Sequence, residues 1–423
     1  MDKNIIEFGA AADGVTLNTA AIQSAIDTCA ASGGGKVTVP AGVYKTGTIW
    51  LRSNVELHLS AGAELLASDN MDDYNELDAF AQNWSCEPEQ WVGKHLIIAC
   101  ELDHCALTGL GKINGNCHAF VRKVDTPAEK QFGWCHGKSE VRDSEKMRPG
   151  QLVCFIECTN VRVQDVTIVD SPCWSCYFLG CESVQVQGIK IFNPIWMLCA
   201  DGIDIDASRY VTVSDCIVHT ADDAITFRAS EELVRKKDIH CEHITVTNCE
   251  LSTTVCAFRV GVGVGDIRHI RVSDIVVSRC MNLVQFCTAY KDIGCANIED
   301  VNFSGISAQH TDRGLDLFAR NGATIRNVLF ENIRATSAME NAIKCYKGVI
   351  DNVTVRNLQL LFADKAPELS RESLERMGSC LLTVSGASNV ILDSVRVDGG
   401  LTGVTKRFEA ADCESLVKKD CNF

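Results

Sequence analysis

Acidic side chains crowd two neighbouring stretches of this sequence, Ala200-Asp-Gly-Ile-Asp-Ile-Asp206 and Ala221-Asp-Asp-Ala-Ile-Thr-Phe-Arg228. If Ile203 and Ile205 point into a core as Ile225 and Phe227 do one layer further on, the offset is 22 residues and Asp201 lies beneath Asp223. Their backbones are then about 5 Å apart. Asp222, one residue earlier, projects differently from both. Three carboxylates in one patch repel, which costs free energy and splits their pKa values. Glycosidic bond hydrolysis uses such an arrangement, since one carboxylic acid protonates the leaving oxygen while a carboxylate activates water. In that chemistry Asp222 is the acid, and Asp201 with Asp223 holds the water. Solvated turn aspartates or a calcium site would leave the same pattern. By alternation with the inward isoleucines, Asp204 and Asp206 are expected on the surface.

Other residues could complete a sugar site. Parity turns Arg228 and Arg259 outward on neighbouring layers near the aspartates, where they could meet an acidic sugar. Trp174 and Trp196 flank the run leading to Asp201 and offer flat apolar rings for stacking, as do Tyr290 and Tyr346. His219 stands three residues before Asp222 and could hydrogen-bond to it. A structural tryptophan and a surface histidine are the competing readings.

The elements that must position these groups form a repeat. The frame apolar-x-apolar-x-(Asp, Asn, Gly or Ser)-apolar-x-(apolar or small) begins at Val161, Val184, Val211, Ile244, Ile270, Val301, Val328, Val353 and Val390, with separations of 23, 27, 33, 26, 31, 27, 25 and 37 residues. Each copy reads as two short alternating strands broken by a turn residue. One such coil cannot bury its inner face alone, but stacked coils can, so the repeat predicts an all-β, right-handed parallel β-helix. The variable gaps place loops of different length along one flank. Near the N-terminus, Asn18 or Thr19 can cap a helix carrying Ile22, Ala25, Ile26 and Cys29 at helical spacing, stopped by Gly33-Gly34-Gly35. This cap, about 15–35, is expected to plug one end of the solenoid. The charged stretch 364–377 reads as a helical insert, and the absence of a linker predicts one domain, 1–423.

Composition narrows the class. Forty Lys plus Arg against 55 Asp plus Glu leave a net charge of −15, which argues against nucleic acid or an anionic membrane as partner. The 23 cysteines lack paired metal-site spacing and mostly sit beside Val, Ile or Leu, as small buried apolar side chains would in a reducing compartment. With no signal-peptide core after Met1, the chain reads as cytoplasmic, with no cofactor or metal expected; a homo-oligomer stays open.

The run IIEFGAAADGVTLNTAAIQSAIDTCAASGGGKVTVPAGVYKTGTIWLRSNVELHLSAGAEL resembles the opening of the polygalacturonase-like enzymes, glycoside hydrolase family 28. So do Arg148-Pro149, DSPCWSCYFLGCESV, Asn193-Pro194, DGIDIDASRYVTV and ADDAITF. The resemblance implies a right-handed parallel β-helix that hydrolyses α-linked galacturonate or related pectic linkages with inversion. The family's Asn-Thr-Asp falls on Cys199-Ala200-Asp201 and its Gly-Asp-Asp on Ala221-Asp222-Asp223, which implies the same roles as the stacking argument. Its Gly-His-Gly falls on Val255-Cys256-Ala257. Its Arg-Ile-Lys, which binds the substrate carboxylate, falls near Gln285-Phe286-Cys287, so both cations are missing. Cys256 could stack over Asp223, where neighbouring carboxylates would raise its pKa and argue against a nucleophile.

Three functions follow: an inverting hydrolase acting on a short pectic or related oligosaccharide, a β-helix uronate lyase or epimerase, and a sugar-binding solenoid without catalysis. A groove closed at one end, for example by the insert from Asn83 to Lys94 or from Lys123 to Met147, would favour attack from a chain terminus.

Overall fold

The computed structural model describes residues 2–124, 139–143, 147–236, 238–289, 294–364 and 378–423. Apart from Asp364, the helical insert expected over 364–377 lies outside them, as do most of the Lys123–Met147 insert and Tyr290.

The chain winds as a right-handed parallel β-helix. The nine frame copies found in the sequence are its stacked rungs in register. Val161 pairs with Val184, then Val211, Ile244, Ile270, Val301, Val328, Val353 and Val390 in unbroken succession. The turn position of every copy has positive φ: Asp165, Gly188, Asp215, Asn248, Asp274, Gly305, Asn332, Asn357 and Ser394. Only glycine adopts that conformation without penalty, and Asn and Asp tolerate it best among the others, so the frame's turn residue is a backbone requirement. Inward side chains stack rung upon rung, as in Phe155 over Phe178 and Phe303 over Phe330, with centroids 5.2 and 5.7 Å apart. Each fully buried Val, Leu, Ile or Phe contributes about 1.5–3 kcal/mol.

The N-terminal helix α1, Thr19–Ala31, buries Ile22, Ala25, Ile26 and Cys29 at one end of this core, as the periodicity predicts. Asn18 occupies the cap position, but its side chain bonds the Ala11 amide at 2.7 Å and the Ala11 and Thr16 carbonyls in place of a helix N–H.

A second sheet stacks the strands Val153–Ile156, Cys176–Leu179, Ile203–Asp206 and Ile225–Ser230, followed by segments of the long strand Cys256–Cys287 and by Thr311–Ala319 and Asn341–Cys345. Its inner face joins the main core. Its outer face on the earlier rungs carries a second apolar cluster of Trp91, Cys154, Ile156, Cys173, Trp174, Tyr177, Leu179 and Cys199, with Trp84, Leu233 and Val234 packed against it. The described cysteines are free thiols, most of them buried.

Candidate active site

Asp201 and Asp223 each stand two residues before successive strands of the second sheet, Ile203–Asp206 and Ile225–Ser230. The pairs Ile203–Ile225 and Asp204–Thr226 fix the 22-residue offset, and the Gly202 amide donates to the Asp223 carbonyl at 2.9 Å. Glycine is required at 202, because a Cβ there would stand 2.4 Å from the Ala224 carbonyl oxygen and 2.5 Å from a Val218 methyl. Asp222 occupies the turn just before. Threonine hydroxyls hold that turn: Thr253 donates to the Asp222 carbonyl and Thr254 to that of Ala221, while Thr220 donates to the Ala200 carbonyl of the preceding rung. Asn193 bridges Ser175 Oγ and Thr220 Oγ1 at 2.9 and 3.1 Å.

This scaffold brings one carboxylate oxygen from each of Asp201, Asp222 and Asp223 within 4.8 Å of the others. All three side chains are buried. Burial first, then the charge of Asp222, pushes the Asp201 carboxyl well above the usual carboxylate range. Burial and the adjacent Asp223 do the same to Asp222. Asp223 has a cationic partner: the Arg259 guanidinium grips both its oxygens, through Nε and, at 3.1 Å, through Nη2. Among the described residues Asp201 Oδ1 has no hydrogen-bond partner, which leaves its acceptor capacity unused inside the site. A divalent cation could be accommodated by these three oxygens, although Asp223 already has its counter-charge in Arg259.

Arg259 continues into a polar chain along the outer face. Its Nη1 donates to Gln285 Oε1 at 2.5 Å, Gln285 donates to Asp316 Oδ2 at 2.6 Å, and Arg313 lies 3.5 Å from that same oxygen. Sequence reasoning named Arg259 and Gln285 but did not assign Arg313 and Asp316 a part in the site. The stretch Arg313-Gly-Leu-Asp-Leu-Phe318 resembles the flank of the family's basic motif without its basic pair, and strand register sets Gln285 beside Asp316 and Asn282 beside Arg313.

The remaining candidates are placed as follows. The Cys256 amide donates to Asp223 Oδ1 at 3.2 Å, and burial pushes its thiol well up. His219 pairs with Glu250 and packs edge-on against Phe192; its hydrogen bond goes to Glu250, where the sequence suggested Asp222. Trp174 is buried among Trp84, Trp91 and Tyr177, with the Arg228 guanidinium 4.5 Å above its ring, so its faces are taken by protein. Arg228 is 3.4 Å from Asp206 and turned into this cluster. Trp196 is half-buried, with its ring 5.5 Å from that of His118.

Asp204 and Asp206 do point outward, but they are buried. Alternation gives direction and not exposure, and Phe80, Trp84, Trp91, Leu233 and Val234 pack over the same outer face. Burial pushes Asp204 up to about 7, against the pull of Arg228 and of a 2.7 Å hydrogen bond from Thr226. A carboxyl raised in the folded state contributes stability below its unfolded value near 3.9, and loses it as pH rises through about 7. Asp204→Asn is therefore expected to stabilise the protein by about 1–4 kcal/mol at pH 8 and hardly at all at pH 4. Thermal unfolding at both pH values checks this, and an equal shift at both would contradict it.

The model of "Glycosyl hydrolases family 28" matches residues 29–373. The chain is 30% identical over 257 residues to the exo-poly-alpha-D-galacturonosidase of Dickeya chrysanthemi, a match covering 53% of this chain but only 42% of that enzyme. It is 23% identical to a probable polygalacturonase of Arabidopsis thaliana, over 92% of this chain and 78% of the relative. The fold superposes on the family 28 exopolygalacturonase of Yersinia enterocolitica with a TM-score of 0.74 at 20% identity, over 98% of this chain and 78% of that one. The endo-xylogalacturonan hydrolase of Aspergillus tubingensis gives a TM-score of 0.59 at 16% identity, over 96% of this chain and 100% of the other. A model match running from 29 to 373 of 423 residues places the chain in glycosyl hydrolases family 28.

Proposed function

We propose that the protein is a glycoside hydrolase that removes sugars from the end of an α-linked pectic or related oligosaccharide. Asp222 is the general acid, and Asp201 with Asp223 activates the water. The observation that carries this reading is the convergence of three buried carboxylates in unequal surroundings: Asp222 and Asp201 are both pushed towards their protonated forms, while Asp223 faces the Arg259 fork, so Asp223 is the base and Asp201 helps to hold the water. Carboxyls with different environments are what acid and base roles require.

Attack from a chain end is supported by the second apolar cluster. Trp84, Trp91, Trp174 and Tyr177 fill the outer face on the rungs before the trio, where an internal stretch of a long glycan would have to lie. The Dickeya and Yersinia relatives carry names of the same type. One oxygen of each carboxylate lies within 4.8 Å of the others, so a single water can reach both Asp201 and Asp223. Inversion requires that water to attack from the side opposite the bond that Asp222 protonates.

Product analysis with oligogalacturonates and neutral pectic oligosaccharides tests the whole reading. The expected products are the terminal sugar and a chain shortened from one end, with the new anomeric centre inverted in the first minutes of proton NMR. A retained centre would make one aspartate a nucleophile. A ladder of intermediate lengths would remove the end-attack claim, and an ultraviolet-absorbing unsaturated sugar would replace hydrolysis by elimination.

A further inference from the structure

The outer face that carries the trio continues across later rungs, and its cations there are neutralised one by one. Arg228 is near Asp206, Arg259 pairs with Asp223, Arg313 lies near Asp316, and Lys344 binds Glu340 at 2.7 Å. Arg320 breaks this pattern. It follows the strand Thr311–Ala319, and its guanidinium lies 5.4 Å from the ring centroid of Phe318 and 5.2 Å from that of Tyr346. The two rings stack at 5.8 Å with 11° between their planes. Tyr346 is 57% exposed, and Arg320 is exposed as well. Among the described residues this guanidinium meets the two rings and lies near the Cys287 thiol, with no ion pair to a carboxylate.

An arginine held against stacked aromatics keeps its fork of N–H donors directed outward and loses little freedom when it binds. An exposed tyrosine ring offers a flat apolar surface with a polar tip. A carbohydrate ring bearing a carboxylate matches both at once: its C–H face lies on the aromatic stack while its carboxylate takes charge-assisted hydrogen bonds. Strand register sets the distance from the trio. Phe318 lies three rungs beyond Asp223, roughly 15 Å along the axis, on the opposite rim of the same face.

The geometry points to Arg320, Tyr346 and Phe318 as a distal subsite for an acidic sugar unit of the oligosaccharide, and this rests on reading that face as the glycan site. The bond being broken then lies where Arg228 and Arg259 already face Asp206 and Asp223, and the acidic unit is recognised further along the chain.

Binding can be measured without turnover, in the Asp222→Asn background, with trigalacturonate and the neutral trisaccharide of galactose as probes. Adding Arg320→Gln should weaken trigalacturonate about tenfold and the neutral trisaccharide less than twofold. Adding Tyr346→Ala should weaken both about tenfold. Thermal unfolding confirms that each variant is folded. Unchanged trigalacturonate affinity in Arg320→Gln, equal losses for the two sugars, or no binding of either to the Asp222→Asn parent would each overturn the subsite. If wild type proves to lack hydrolase activity while the charge discrimination persists, the hydrolase reading fails and the subsite stands.

Discussion

Replacing Asp222 by Asn should lower kcat by about 10²–10⁴-fold, the range for loss of a positioned general acid, while oligosaccharide affinity changes by no more than a few-fold. The substitution keeps shape and one acceptor. The Asp223 amide donates to Asp222 Oδ1 at 3.0 Å, and an asparagine oxygen can accept that bond, while Thr253 still holds the residue's carbonyl. What disappears is the acidic proton. In wild type, burial and Asp223 keep that proton in place above the ordinary carboxylate range. Activity should therefore fall on the alkaline side as Asp222 ionises, and that limb reports the acid. Steady-state kinetics with a pH profile, together with calorimetric binding, check both halves. A loss smaller than tenfold would remove Asp222 from the acid role. Binding without turnover in wild type and variant alike would instead describe a sugar-binding solenoid.

The solenoid was legible because its constraint is local and repeated. Each rung needs two inward apolar residues, a residue able to take positive φ, and two more inward residues, and the sequence spells this nine times from Val161 to Val390. Register follows from the same letters, since a slip by one residue would turn every valine outward. The N-terminal helix was readable for a similar reason, through the spacing of Ile22, Ala25, Ile26 and Cys29.

The site was legible only in part. Alignment of adjacent rungs brings Asp201 under Asp223, because period and offset suffice to compute it. Alternation gives the direction of Asp204, Asp206 and Arg228, but nothing in it says that distant residues such as Trp84 and Leu233 will lie on top of them. Trp174 and Arg228 thus became partners of each other under that cover. Arg259 illustrates the other limit. Its outward direction is a matter of parity, whereas its choice of Asp223 and Gln285 depends on side-chain reach across rungs.

That choice carries the second large effect. Arg259→Met should destabilise the protein by about 3–5 kcal/mol, because it strands a buried carboxylate. The Arg259 and Asp223 side chains are only 14% and 5% exposed, so water cannot replace the lost fork, and Gln285 Oε1 loses its 2.5 Å donor as well. Asp223→Leu alone strands the guanidinium and should cost a similar amount. The double variant Arg259→Met with Asp223→Leu leaves neither charge and should recover most of the stability, since apolar replacement of a whole buried pair is often neutral or better. Activity should stay lost in all three, which separates the pair's chemical part from its contribution to folding. The sign of the pH dependence follows from the crowding. Without Arg259 the charge that opposes the upward shift of Asp222 is gone, so Asp222 takes up its proton still more readily in the folded state. Stability of Arg259→Met should then fall as pH rises from about 4 towards 8, more steeply than in wild type. Urea unfolding of the four proteins at both ends of that range measures the coupling. Additive single-variant costs, or a penalty independent of pH, would mean that Arg259 is not the charge that offsets the crowding of the aspartates.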